Sequence, residues 1–115
     1  MEVQVFGVKK SADTRSALRF FAERRIKVHF VDLTERPASR GELTRFVQRF
    51  GVEGVLDRAS ARFAQLGLAA AGYSPERWIE RLVEEPLLLR MPLVRHQQQL
   101  TVGAEHATWR AWIGR

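Results

Sequence analysis

The residues best placed to do chemistry lie in one short run, Gly7-Val8-Lys9-Lys10-Ser11-Ala12-Asp13-Thr14-Arg15. It joins a strand-like apolar segment, Val3 to Phe6, to a segment with helical spacing. Such a loop leaves backbone N–H groups free at the start of a helix with the helix dipole behind them. That environment stabilises a thiolate or an oxyanion. Ser11, Lys10, Arg15 and the neighbouring Lys9 are the candidates for holding an anion, while Asp13 opposes one by placing negative charge in the same turn. The 115-residue chain contains no cysteine, so thiolate catalysis, disulfides and cysteine-ligated metals are excluded.

A serine nucleophile would need a base within reach and an oxyanion hole. The histidines, His29, His96 and His106, fall in no triad motif of the Gly-x-Ser-x-Gly kind. Ser11 reads more simply as a helix N-cap. There is no glycine-rich phosphate loop and no His/Asp/Glu cluster with metal-ligand spacing.

The elements that must carry these residues follow from periodicity. Val3 and Val5 alternate with polar residues, as in a strand. Ala17, Leu18, Phe21 and Ala22 recur at helical spacing after Ser11, and Arg24 and Arg25 fall in the expected last turn. Ile26, Val28 and Phe30 alternate again, which completes a βαβ unit with parallel strands. Pro37 and Ser39 open a second helix that Gly51 is expected to stop. Ala61 to Leu68 form a further helix, and Ser74-Pro75 cap another with Trp78, Ile79, Leu82 and Val83 inward. A β-hairpin over Leu93-Val94 and Leu100 to Val102 precedes a closing helix from Ala104 to Ile113. Trp78, Trp109 and Trp112 read as buried on helical faces, not as stacking platforms for bases.

Composition bounds the partners. A net charge of +6, mostly from arginine, favours anionic partners. The cations are dispersed, so a solvated arginine-rich surface accounts for them as well, and direct nucleic-acid binding is not expected. No apolar run reaches the roughly 20 residues of a membrane span. The N-terminus lacks the layout of a secretory signal, which makes the cytoplasm the default location.

Five stretches in order then carry a resemblance: "VQVFGVKKSADTRSALRFF", "VHFVDLTERPASRGEL", "VLDRAS", "FAQLGL" and "EEPLLLRMPLV". Over nearly its whole length the chain resembles the family that joins the glutaredoxin-linked arsenate reductases (ArsC) and the Spx regulators of RNA polymerase. The resemblance implies an α/β, thioredoxin-like fold: a four-stranded mixed sheet in the order β-α-β … β-β-α with a helical insertion. It implies one domain over 1–115, its core at about 1–33 and 91–115 and the insertion at about 34–90. The family motif is Cys-x-x-x-Arg, or Cys-x-x-Cys in the regulators. Here Ser11 stands at the first cysteine position, Thr14 at the second, and the arginine is kept as Arg15. Arg58 matches a second arginine of the reductase site, Met91 replaces a third, and Pro92 matches the family's cis-proline.

The implied reductase chemistry needs sulfur to attack arsenic and to form mixed disulfides, which a serine hydroxyl cannot do. The expectation is therefore a redox-inactive binding or regulatory protein without catalytic residues. RNA polymerase would be the partner by analogy with the Spx branch, with Arg19 and Arg24 of the first helix contributing. The anion-binding candidates are Ser11, Lys10, Arg15 and Arg58. The alternative is an enzyme that uses an oxyanion or glutathione, glutathione being the one candidate cofactor. A Cys-to-Ser form of a glutaredoxin-linked reductase is the third reading.

Overall fold

The computed structural model describes residues 1–114, which fall into two compact units: Met1–Leu33 with the chain from Met91 onward, and Thr34–Arg90. In the first unit, alternating valines make β1 (Glu2–Gly7), and β2 (Lys27–Asp32) pairs with it in parallel, Val3 opposite Val28 and Val5 opposite Phe30. α1 (Ala12–Glu23) connects them. The later hairpin, β3 (Leu93–His96) and β4 (Gln99–Val102), docks antiparallel on β1 to give the strand order β2-β1-β3-β4. α5 (His106–Ile113) follows.

Strand alternation puts Val3, Val5 and Val94 on one face, where they form a core with Ala17, Phe20 and Phe21 of α1 and Trp109 of α5. Trp109 is wholly buried and its Nε1–H donates to Thr101 Oγ1 at 2.8 Å, so its polar edge is satisfied as burial demands. Trp112 departs from the expected burial. It is only partly covered, and it lines an open cleft of about 710 Å³ with His96, Gln97, Gln98, Gln99 and Ala111.

α1 stops earlier than its arginines suggested. Arg24 is the C-cap and Arg25 has left-handed φ 58°. Ile26 N–H donates to Phe21 O and Arg25 N–H to Ala22 O, both at 3.0 Å. These are the two bonds of a Schellman cap, built here with arginine in the position glycine usually takes. Arg24 still serves the helix end, since its Nη1 donates to Phe20 O at 3.0 Å while the guanidinium lies 3.8 Å from the centre of the Phe20 ring.

The second unit is helical: α2 (Arg40–Val55), α3 (Ala61–Gln65) and α4 (Pro75–Glu84), with 3-10 turns at Leu68–Ala70 and Pro86–Leu88. Serines cap all three helices. Ser39 forms a full capping box with Glu42, Ser60 caps α3, and Ser74 precedes Pro75. Leu43, Phe46, Trp78, Ile79 and Leu82 are buried at the spacing the sequence predicts. The regular helix ends at Gly51, as the sequence predicts. Its φ of 76° and ψ of 166° make a kink, after which one more turn runs to Val55. The expected helix over Ala61 to Leu68 is shorter, because Gly67 turns left-handed at φ 64°. Asp57 N–H to Leu88 O at 2.7 Å and Arg90 N–H to Val55 O at 2.8 Å tie the segment that follows α2 to the end of this unit.

Candidate functional site

The loop from Gly7 to Ser11 is held at both ends. Leu33 N–H donates to Gly7 O at 2.9 Å, Ser11 N–H donates to Val8 O at 3.0 Å, and Ser11 takes the extended geometry of an N-cap. Its Oγ accepts from Thr14 N–H at 3.1 Å, and its carbonyl accepts from Arg15 N–H at 3.0 Å. Ser11, which the resemblance sets at a cysteine position, therefore sits at the head of α1 and acts as a cap.

Thr14, which the resemblance sets at a second cysteine position, is fully buried, and its Oγ1 has no hydrogen-bond partner among the described residues. It packs against the backbone of Gly7, where a Cβ would come within 2.7 Å of Thr14 Cγ2 and closer still to Oγ1. Only a residue without a side chain fits at position 7. Buried and without a base, the threonine hydroxyl is a packing group.

Arg15 is exposed, and its Nη1 donates to Lys9 O at 2.8 Å. One donor is thus spent bracing the loop, and the remainder of the guanidinium fork faces outward. Lys9, Lys10 and Asp13 are exposed. Ser11, Lys10 and Arg15 are brought together in this one loop and helix start. Met91–Pro92 belongs to the same unit, and its peptide bond is cis.

Arg58 belongs to the helical unit and is occupied there. Its Nε and Nη2 each donate at 2.6 Å to one oxygen of Glu53. This fork-to-fork pair holds the Glu53 carboxyl below its ordinary range and raises the guanidinium, the hydrogen bond being the main cause in both. The side chain also lies beside the rings of Phe63 and Trp78. As it stands, Arg58 is neutralised by a carboxylate that an incoming anion would have to displace.

Each histidine has a partner away from Ser11. His29 pairs with Glu2 at 2.8 Å, and His96 Nδ1 lies 3.1 Å from Glu2 O. His106 Nε2 lies 3.0 Å from Ser16 Oγ. That last contact joins α1 to α5 across 90 residues, and no local motif announces it. His106 also makes ring contacts with Phe20 and Trp109. No group of three or more His, Asp or Glu side chains among the described residues is arranged to hold a metal.

The sheet order, the capped loop and the cis-proline define a thioredoxin-like α/β protein. The model of the ArsC family matches residues 6–112, and the chain belongs to that family. Among solved structures, the YffB protein superposes with a TM-score of 0.87 at 23% identity, covering 95% of this chain and 96% of that one. An arsenate reductase from Vibrio cholerae superposes at 0.81 with 22% identity, covering 94% of both chains. An arsenate reductase (ArsC) related protein from Brucella melitensis gives 0.69 at 22% identity, covering 100% of this chain and 97% of that one. No curated protein matches the sequence.

Proposed function

We propose that this ArsC-family chain is redox-inactive and acts by binding. The observation that carries this reading is chemical: the family scaffold is present, yet the chain has no sulfur nucleophile anywhere. Ser11 takes the place of the thiol, and its Oγ accepts from Thr14 N–H as a helix cap. Reduction of arsenate requires a nucleophile that can give up electrons and exchange through disulfides, and neither hydroxyl can. The exposed face of α1 is the binding surface, and a protein of the transcription apparatus is the partner by analogy with the Spx branch. The setting would be cytoplasmic.

Glutaredoxin-coupled assay of the purified chain with arsenate tests the redox half of this reading. The expected result is no turnover above the protein-free background, and reproducible turnover by the cysteine-free chain overturns it. The alternative, an oxyanion- or glutathione-using enzyme, draws support from the start of α1, where Lys10 is exposed and Arg15 retains outward donors. Calorimetric titration with arsenate, phosphate and glutathione separates the two, because heat from any of them at millimolar concentration favours the enzyme.

A further inference from the structure

The surplus charge is not shared evenly. The sequence of the sheet unit has ten Lys and Arg against five Asp and Glu, whereas Thr34–Arg90 has nine against eight. The helical unit is internally paired: Arg40–Glu80, Arg58–Glu53, Arg62–Glu85 and Arg81–Glu84 lie within 3.4 Å. In the sheet unit, neither Arg15 nor Arg19 enters an ion pair among the described residues.

The unpaired charge lies on a patterned face. Ala12, Arg15, Arg19 and Ala22 of α1 are all exposed and recur at the three-four-three spacing of one helical stripe. Arg15 and Arg19 are one turn apart, roughly 6 Å, and as like charges at i,i+4 they weaken the isolated helix. Alanines at both ends of the stripe leave room for another backbone to approach. No aromatic side chain lies on the stripe, so it lacks the platform on which single-stranded bases stack.

We propose that this stripe docks an acidic helix of a partner protein, whose carboxylates at i,i+4 spacing pair with Arg15 and Arg19 while its axis passes over Ala12 and Ala22. The inference deepens the binding reading above by naming the partner's chemistry, and its test does not depend on redox activity. It commits to a helix over a polyanionic strand because Arg15 and Arg19 stand one turn apart, the separation of carboxylates at i,i+4 on a facing helix, and the stripe ends on small residues without an aromatic platform.

The experiment uses a synthetic helical peptide with glutamates at i,i+4, a scrambled peptide of equal charge, and oligothymidylate. Binding to the full chain is read by fluorescence anisotropy at low salt. The matched peptide is expected to bind more tightly than either control. Arg19→Glu is expected to weaken it roughly fivefold to tenfold, and a peptide with lysine at the facing positions should restore binding to that variant. Arg45→Glu, an equal change in net charge at an exposed residue of the helical unit, should leave affinity within about twofold. The proposal is overturned by tighter binding of the scrambled peptide or oligothymidylate, by equal loss in both variants, or by no binding of the matched peptide. If the arsenate assay shows turnover while the peptide binds as described, the redox reading fails and this one stands.

Discussion

At Gly7 the first strand passes so close to Thr14 that a methyl group would overlap its side chain. The backbone there belongs to an ordered strand end, so the clash has to be met by the helix. Gly7→Ala is expected to destabilise the chain by about 1–3 kcal/mol. Adding Thr14→Ala removes Oγ1 and Cγ2, and most of that loss should return. A urea-denaturation double-mutant cycle measures the coupling, and purely additive effects would show that the two positions do not share the space. Ser11 as the helix cap was legible from sequence, since a serine before a helical apolar pattern has few other readings. The pairing of Arg58 with Glu53 and the contact between Ser16 and His106 were not. The first is a competition between partners that residue type alone does not rank, and the second joins residues that only the completed fold brings together.

At the scale of elements, the end of α1 offers a direct test of backbone conformation. Arg25 occupies the left-handed position of the Schellman cap at φ 58°, and its side chain meets no carboxylate partner among the described residues. Arg25→Gly should therefore stabilise the chain by about 0.5–1 kcal/mol, visible as a higher urea midpoint at unchanged slope. No change, or a loss, would mean that the arginine side chain contributes more than its backbone costs. Periodicity marked this helix but carried it two residues too far, because arginine at a C-terminal turn reads as helix while its actual job is to close it. At Gly51 the stop was legible, but the further turn of helix after it, onto which the left-handed glycine redirects the chain, was not. In both cases the governing quantity is a single φ angle, which residue type constrains only weakly.

For the whole chain, charge pairing predicts the acid limb of stability. The hydrogen bonds from Arg58 and Arg62 hold Glu53 and Glu85 below the ordinary value of 4.5. Carboxyls whose folded pKa is depressed contribute stability that is present above the unfolded value and lost as pH falls through the folded one. Unfolding by urea should therefore be insensitive to these groups from pH 7 to 5 and ease progressively below about 4.5. Arg58–Glu53 is solvent-exposed and Arg62–Glu85 only partly buried, and the effect is correspondingly modest. In Glu53→Gln/Glu85→Gln the acid limb should flatten, and an unchanged slope would assign it to other carboxylates.

The sheet is assembled from two distant parts of the chain: Gln4 and Phe6 of the central strand find their antiparallel neighbours only in Arg95 and Leu93. As the polypeptide leaves the ribosome, β1 can acquire β2 early while its opposite border stays bare until β3 has been made. Through that interval the nascent protein carries a valine-rich strand rim, open to any other extended segment it meets. The helical unit occupies the delay, so the speed of its translation sets how long that rim stays exposed.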